Sequence, residues 1–449
     1  MRGLGKSAWI LILAVLIPWS SAPADDAPSV PRYSLPVGRR LTYSVTSISK
    51  GDKINESSIA TIQVTVVKEN PDGSHRLIFR VTVKNNQAIQ GNVPDTVMLG
   101  SADVSPDGRL ASPVTPDQRI EPSQVFPRLP RDAAEADAGW IGEDEAELRA
   151  RTFTAHPLDR KQWDFRSVES GVLGKIYGIT EDSSFHFDMD KGIINKVEVK
   201  TGQTFGFQMT GADTLELQSD TTVAPEEIAQ LATDVAAFLA TSKAYDEQTD
   251  RAMHATADEA DRIMASAKNA LTLASQSAKD TDVQAQYQQV LSKQDETVKY
   301  VKGEAEREQM YLNKPAPEFA TVDTDGNDAK LADFKGKVVV LDFWYRGCGW
   351  CMYAMPQIKQ IAADFKGKPV AVLGMNTDAD QKDAKFVIDA QQLNYPTLKA
   401  AGLPEKFGVQ GYPTLIIIDP AGVVRQIHMG YSPTLRQDIG QGIQELLKP

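Results

Sequence analysis

The sequence predicts a multidomain protein with an N-terminal all-β antiparallel sheet, a helical hairpin and a C-terminal α/β domain. The chain has 449 residues, and one hydrophobic core usually serves roughly 100 to 200 residues. Apolar residues alternate with polar ones in the first half, then recur at helical spacing, and finally form buried-strand runs between helices. Domains are therefore expected at residues 31–220, 225–312 and 313–449.

The composition is that of a globular protein and weighs against nucleic-acid binding. Hydrophobic residues make up 41% and charged residues 24% of the chain, so it can bury real cores. The formal net charge is −12, and no basic cluster interrupts this acidity. Nucleic acid is therefore not an expected partner.

The N-terminus has the pattern of a secretory signal. A cationic start precedes an apolar run from Ala8 to Pro18, and Ala22 and Ala24 end the small-residue segment as a signal-peptidase site would. The run is shorter than the roughly 20 apolar residues that a membrane span needs. We therefore expect residues 1–24 to be cleaved, with an uncleaved anchor as the alternative. The mature protein is expected to be exported, in a periplasmic or other extracytoplasmic space, without a stable membrane span.

Six alternating runs between Tyr33 and about Gln218 predict the antiparallel sheet, folded as a sandwich or an open barrel. They are rich in β-branched residues and are separated by turns such as NPDGS and DMDKG. A Pro- and acid-rich stretch from Pro113 to Glu147 is predicted to be a surface excursion. The six runs are LTYSVTSI from Leu41, ATIQVTVV from Ala60, RLIFRVTV from Arg76, KIYGIT from Lys175, NKVEVK from Asn195 and TFGFQM from Thr204.

The segment from Pro225 predicts a helical hairpin. Small and apolar residues recur at three- and four-residue steps, and the preceding APEE supplies Pro and acidic residues for a first turn. A break near Asp280 divides the pattern into two helices. The hairpin is interpreted as a spacer between domains, with a dimerisation or docking element as the alternative.

After Asn313 the pattern alternates between strand and helix. VVVLDFWY at residues 338–345 is an apolar run typical of a strand buried on both faces. Helices are expected from about Cys348 to Ala363 and over Asp380 to Gln391, and the strand TLIIID follows Pro413. These elements form a βαβ arrangement with a closing hairpin.

Both cysteines of the chain, Cys348 and Cys351, lie at the start of the first of these helices. Residues three apart on a helix bring their Cβ atoms to about 5 to 6 Å, so a modest adjustment allows a disulfide. Cys348 would meet the positive end of the helix dipole, which favours thiolate over thiol. It is the expected attacking sulfur, and Cys351 is expected to resolve the mixed disulfide.

Asp342 stands within the buried apolar strand, six residues before Cys348. A carboxyl group buried without a cation holds its proton to unusually high pH, so it can accept the proton of Cys351 as that sulfur attacks. Asp342 is therefore the expected proton carrier. The alternative is a partly exposed position at the strand end.

The stretch VVVLDFWYRGCGWCMYAMP resembles the active-site segment of thioredoxin. The region from Pro315 to Pro449 resembles the exported TlpA/ResA-like, redoxin-type branch of that superfamily. This resemblance implies a thioredoxin-like fold and thiol-disulfide oxidoreductase activity. It assigns the buried acid to Asp342, the nucleophile to Cys348, the resolving thiol to Cys351, the helix-kinking proline to Pro356 and a cis-proline facing the disulfide to Pro413.

The sequence departs from this pattern at three places. Ala354 stands where TlpA-like members often carry a glutamate, and the lysine that thioredoxin keeps near its buried acid is replaced by Gly374 or Met375. The dipeptide between the cysteines is Gly349-Trp350, neither the Gly-Pro of thioredoxin nor the Pro-His of strong oxidants. The buried aspartate is therefore left as the proton carrier.

Aromatic residues near the cysteines predict a docking surface for substrates. Tyr345, Trp350 and Tyr412 would supply a sequence-tolerant apolar surface, whereas Trp344 is expected in the core. Pro413 has no N–H group, which leaves the backbone of Tyr412 free to pair with a substrate strand.

Other interpretations of the cysteine pair fit less well. Zinc prefers four ligands, and the chain has no second cysteine pair. Covalent haem attachment needs a histidine where Met352 stands. A structural disulfide over two intervening residues would be a poor staple. Copper binding with His428 is a further alternative. No metal or other cofactor is expected, because the two sulfurs carry the electrons themselves.

The expected function is exported thiol-disulfide exchange with protein disulfide or dithiol substrates. The resemblance favours a reductant that a membrane electron donor re-reduces. A peroxiredoxin-like, antioxidant peroxide reductase is the rival enzyme, although the threonine and proline that precede its cysteine are replaced here by Tyr345 and Leu341. A non-enzymatic envelope binding protein is the remaining alternative.

Overall fold

The structure is a computed structural model that describes residues 30–52, 55–84, 95–114, 122–142, 150–157, 161–169, 171–206 and 208–448. The expected secretory signal at residues 1–24 lies outside the described residues. Within them, no helix combines the length and the hydrophobicity that crossing a lipid bilayer requires.

The N-terminal region is a single antiparallel sheet. Its strands in the described residues are β1 (Arg39–Gly51), β2 (Asn55–Glu69), β3 (His75–Lys84), β4 (Thr96–Val104), β5 (Leu110–Val114), β6 (Trp140–Gly142), β7 (Arg151–Pro157), β8 (Gln162–Glu169), β9 (Thr180–Asp188), β10 (Ile193–Gln203) and β11 (Met209–Thr222). They pair in the order β5-β4-β3-β2-β1-β11-β10-β9-β8-β7-β6. The all-β antiparallel prediction is confirmed, and the described strands form one sheet with β5 and β6 as its edges.

One face of the sheet encloses an apolar core. Phe126 packs edge-on against Tyr33 and Phe79, with ring centroids 5.1 and 6.2 Å away, and Tyr33 also packs against Phe187. These rings link β3 with β9, although four strands lie between them in the sheet. The sheet therefore curves around its own aromatic residues.

The prediction of a surface excursion at Pro113 to Glu147 is wrong for the described part of that stretch. A 3-10 turn (Pro122–Gln124) and helix α1 (Ala133–Ala138) fold it back over the sheet. The apolar residues of this stretch are irregularly spaced, so a search for helix or strand periods does not detect them. Those buried in the core are Val125, Phe126, Leu129, Ala136 and Trp140.

Two predicted strands are in fact connections between strands. The first half of KIYGIT lies in the short helix α2 (Val172–Tyr177), and most of TFGFQM lies between β10 and β11. The backbone N–H of Phe205 donates to the carbonyl oxygen of Tyr177 at 3.1 Å, so the two connections are joined. Gly178 ends α2 in left-handed backbone, where a Cβ atom would clash with Thr204.

The middle region contains four helices: α3 (Pro225–Met253), α4 (Ala257–Ser277), α5 (Thr281–Ser292) and α6 (Gln294–Tyr311). The expected break is present, with Asp280 capping α5. Two further breaks, at residues 254–256 and at Lys293, divide the two predicted helices into four. They were not predicted, because no Pro or Gly marks them in the sequence. The helices pack on the opposite face of the sheet through Ile78 and Leu99, so they are not a free-standing spacer.

The C-terminal domain has a thioredoxin-like fold, as predicted. A hairpin of β12 (Ala320–Val322) and β13 (Asp328–Lys330) precedes a mixed sheet in the order β16-β15-β14-β17-β18. Helices α7 and α9 cover one face of the sheet, and α8 packs beside α7. The bounds are β14 (Val338–Trp344), α7 (Gly349–Asp364), β15 (Val370–Asn376), α8 (Gln381–Gln391), β16 (Thr397–Lys399), β17 (Thr414–Ile418), β18 (Val424–Met429) and α9 (Leu435–Leu446).

Candidate functional site

The end of β14 and the start of α7 position the two cysteines. The backbone N–H of Cys351 donates to the Sγ atom of Cys348 at 3.0 Å, so Cys348 caps α7. The two residues form a disulfide, with their Cα atoms 5.3 Å apart. Both sulfurs thus lie at a helix N-terminus, where free N–H groups and the helix dipole stabilise negative charge.

The two cysteines differ in exposure. Cys348 is 6% exposed and Cys351 is 1% exposed. A sulfur that attacks an external disulfide must be reached by the substrate, whereas a resolving sulfur acts from within. This difference suits Cys348 to the first role and Cys351 to the second.

Two further positions of α7 bear on the site. Pro356 lies inside the helix, where its missing N–H interrupts the backbone hydrogen bonds. Ala354 is fully buried and adds no carboxyl group beside the cysteines. The helix therefore carries the sulfurs on its first turn without an acid of its own at that position.

Asp342 lies in the middle of β14 and is 1% exposed. Burial raises the pKa of this carboxyl group to about 7, and a hydrogen bond from Tyr395 lowers it in part. Asp342 pairs with Gly374 of β15, so its neighbour on that strand brings no charge to the carboxyl group. The carboxyl group therefore exchanges its proton near neutral pH.

Tyr395 is a site residue that sequence reasoning missed. Its Oη atom donates to Oδ2 of Asp342 at 3.2 Å, and burial raises the pKa of the tyrosine well above its ordinary value. It remains a proton donor at all physiological pH values. The one feature of the sequence that could have indicated Tyr395 is its position just before β16. This feature was insufficient, because the pairing of β16 with β15 is set by the tertiary fold.

Aromatic side chains form two groups near the disulfide. Tyr345 packs edge-on against Tyr412 with ring centroids 5.1 Å apart, and Trp350 stacks on Tyr431 at 5.6 Å. Tyr353 contacts both Trp350 and Tyr431. Tyr345 is 36% exposed and Trp350 is 41% exposed, which leaves an apolar surface open to a partner. Tyr353 and Tyr431 were not predicted, since helical and loop aromatics carry no distinguishing pattern.

Pro413 lies beside the strand from which the cysteine loop leaves. The peptide bond between Tyr412 and Pro413 is cis. Thr414, the next residue, pairs with Phe343 near the end of β14. Tyr412 also packs against the apolar cluster that contains both cysteines. The strand pairing therefore brings the residues before β17 to the redox centre.

The loop between β14 and α7 is held by Asp378, which sequence reasoning also missed. Its carboxylate accepts the backbone N–H of Arg346 at 2.9 Å and the side-chain amide of Asn376 at 2.8 Å. Burial raises the pKa of Asp378. These hydrogen bonds fix the backbone two residues before the first cysteine.

The described residues contain no cluster of three or more His, Cys, Asp and Glu side chains arranged to hold a metal ion. His428, considered for copper binding, lies on β18. Its ring centroid is 6.5 Å from that of His254, which follows α3.

Comparison with known proteins places the similarity in the C-terminal domain. Residues 312–442 match the protein-family model described as Redoxin. The chain is 34% identical over 119 residues to the thioredoxin-like protein YneN of Bacillus subtilis (strain 168), covering 26% of this chain and 69% of that protein. It is 32% identical over 124 residues to the thiol-disulfide oxidoreductase ResA of Bacillus cereus, covering 27% and 72%. A solved thioredoxin domain of a thiol-disulfide oxidoreductase from Bacteroides vulgatus is 27% identical, covering 29% of this chain and 97% of that one, with a TM-score of 0.28.

The raised pKa of Asp342 predicts a pH-dependent cost in stability. The folded state favours the protonated acid over the ionised one. The stability that this protonation contributes is complete below the ordinary pKa of 3.8 and is lost as the pH rises through about 7. The unfolding free energy of Asp342→Asn minus that of the wild type is expected to increase by roughly 3 kcal/mol as the pH is raised from about 5 to about 8. Urea unfolding of the oxidised protein at both pH values measures this gain.

The exposed residue Asp389 on α8 provides the control, as Asp389→Asn. This variant makes the same chemical change without a buried carboxyl group. The same pH dependence in both variants would show that burial of Asp342 is not the cause.

The hydrogen bond from Tyr395 predicts the direction in which its loss moves the Asp342 titration. We expect Tyr395→Phe to raise the pKa of Asp342 by about one unit, because a hydrogen bond to a charged group contributes about 1.5 to 3 kcal/mol. The infrared band of the protonated carboxyl group, assigned by its absence in Asp342→Asn, reports the titration. A pKa that stays the same or falls would contradict a carboxylate stabilised by Tyr395.

Proposed function

We propose that this chain, which belongs through its C-terminal domain to the thioredoxin-like thiol-disulfide oxidoreductases of the redoxin family, reduces protein disulfides outside the cytoplasm. The observation that carries the proposal is the arrangement of the cysteines. Cys348 caps α7, is bonded to Cys351 one turn inward, and is the more exposed of the two sulfurs.

The reaction begins with the reduced pair. The thiolate of Cys348 attacks one sulfur of the substrate disulfide, which forms a mixed disulfide and releases the other substrate sulfur as a thiolate. Cys351 then attacks the Sγ atom of Cys348, which closes the disulfide of this protein and releases the second substrate sulfur. Two electrons have passed from the cysteine pair to the substrate, and the two released thiolates take up protons.

Asp342 acts in the second step as the proton acceptor for Cys351. The support is its pKa of about 7, caused mainly by burial, which lets it take up a proton at neutral pH. Tyr395 adjusts this value through its hydrogen bond to the carboxylate. Asp342 later returns the proton when the protein is reduced again.

Substrate docking is assigned to Tyr345, Trp350, Tyr412 and Pro413. The first two are exposed aromatic side chains on either side of Cys348 in the sequence. The backbone at Tyr412 would pair with an extended substrate segment, because Pro413 itself donates no hydrogen bond. Pro356 has a structural role within α7.

The reductant direction and the extracytoplasmic location complete the proposal. ResA, a relative of the C-terminal domain, is named a thiol-disulfide oxidoreductase, which supports protein thiols and disulfides as the substrate class. The signal-like residues 1–24 support export. Outside the cytoplasm the oxidised pair needs a source of electrons, and we assign this role to a membrane electron donor.

Single-cysteine variants distinguish the two sulfurs. We expect Cys351→Ser to accumulate a mixed disulfide with a protein substrate, because the attacking sulfur remains and the resolving one is gone. Cys348→Ser is expected to form none. Non-reducing gels and mass spectrometry after incubation with an unfolded, disulfide-bonded protein measure both outcomes. Consumption of hydrogen peroxide at a rate that exceeds reduction of this protein would favour the peroxide reductase instead.

The redox potential tests the direction of electron flow. We expect the Cys348–Cys351 pair, equilibrated in glutathione buffers, to have a potential closer to the about −270 mV of thioredoxin than to the about −120 mV of the oxidant DsbA. Thiol alkylation followed by mass spectrometry gives the reduced fraction at each buffer ratio. A value near or above about −120 mV would overturn the assignment as a reductant.

A further inference from the structure

A cap from the N-terminal sheet covers one side of the redox centre. The cap consists of α2, in the connection from β8 to β9, and of Phe205, in the connection from β10 to β11. Leu173 and Ile176 of α2 are buried in the same apolar cluster as Cys348 and Cys351. Two apolar residues of α8 belong to this cluster as well, and α2 packs on α8. The cap therefore closes the side of the disulfide next to α8.

Arg346, in the loop before the first cysteine, binds the cap. Its Nε and Nη2 atoms both donate to the carbonyl oxygen of Ile176, at 3.0 and 2.6 Å. Its guanidinium lies 4.0 Å from the ring centroid of Phe205 and 4.3 Å from that of Phe386 on α8, and it forms an ion pair with Asp383 at 2.7 Å. One side chain thus joins the cap, the cysteine loop and α8.

Tyr177, the last residue of α2, brings a phenol close to the cysteine loop. Burial raises the pKa of Tyr177, and the nearby Tyr345 and Tyr353 add to the rise. These two tyrosines precede Cys348 and follow Cys351 in the sequence. The Tyr177 hydroxyl is buried and has no hydrogen-bond partner in the part of the chain that the structure describes. The cap thus brings its phenol close to the two tyrosines that flank the cysteines in the sequence.

Exposed aromatic surface lies beside the cap. Tyr345, which acts on the cap residue Tyr177, and Trp350 are both exposed, while Cys348 shows little surface of its own. We expect a small disulfide or an extended segment to reach Cys348 across this surface. We expect the neighbouring cap to obstruct the convex surface of a folded protein.

We infer that the cap is a specificity element: held by Arg346, it admits small or extended disulfides to Cys348 and excludes disulfides on folded protein surfaces. The inference rests on the proposed thiol-disulfide exchange. Selectivity then comes from an obstacle to the wrong substrates rather than from extra contacts with the right ones. The cap changes the relative rates of substrates and leaves the chemistry of the sulfurs as it is.

The test compares glutathione disulfide with insulin as oxidants of the reduced full-length protein. Ile176→Asp places a charge in the buried contact and releases the cap. We expect the ratio of the insulin rate to the glutathione-disulfide rate to rise by about tenfold. Ile59→Asp makes the same change at a strand position that is 53% exposed, and it leaves both rates unchanged.

Hydrogen exchange of residues 172–178 reports release of the cap, and circular dichroism reports folding. If Ile176→Asp does not fold, the double variant Leu173→Ala with Ile176→Ala takes its place. An unchanged ratio with a released cap overturns the inference, as does an equal rise in both rates. Slow hydrogen exchange at residues 172–178 in every variant also overturns the inference, because the contacts of Leu173 and Ile176 would then not be what holds the cap in place. If glutathione disulfide and insulin both fail to oxidise the wild type, the proposed function itself fails.

Discussion

The burial of one carboxyl group without a paired cation constrains the redox centre. Asp342 lies in a strand whose seven residues are all buried, and its neighbour on β15 is a glycine. Ionisation there is costly, and the hydrogen bond from Tyr395 recovers part of the cost. The result is an acid with a pKa of about 7 on the strand that leads into the cysteine loop. A group that destabilises the fold when it is ionised is thereby available for proton transfer at neutral pH.

A single loop serves both the chemistry and the contact between domains. Tyr345 supplies part of the open aromatic surface, Arg346 binds the cap, and Cys348 carries the outer sulfur. Gly347 between them allows the close approach of the Tyr345 ring, which a Cβ atom would obstruct. Asp378 fixes the backbone N–H of Arg346, so the loop has a support that does not depend on the cap.

The redox centre could be predicted from local sequence patterns. Features that depend on contacts between distant segments of the chain could not. The cysteine spacing and the apolar run through Asp342 are short-range patterns, and the structure places them in one strand and the helix that follows it. Pro413 was assigned by the resemblance to thioredoxin, and it directly precedes β17. Tyr395 reaches Asp342 only because β16 joins the sheet beside β15. No local period encodes that pairing. The core residues around Phe126 escaped prediction for the related reason that an irregular segment has no period to detect.

The two segments that were misassigned as strands form the small cap, and the large sheet holds both of them in position. Alternating apolar residues in KIYGIT and TFGFQM suggested strands, but Ile176 and Phe205 pack against another domain. A sequence pattern does not identify the surface that covers it. A helix of six residues does not persist alone in water. Here it is fixed because the chain enters from β8, leaves into β9 and is tied to the β10–β11 connection through Phe205 and Tyr177. The position of the cap therefore depends on the stability of the N-terminal sheet.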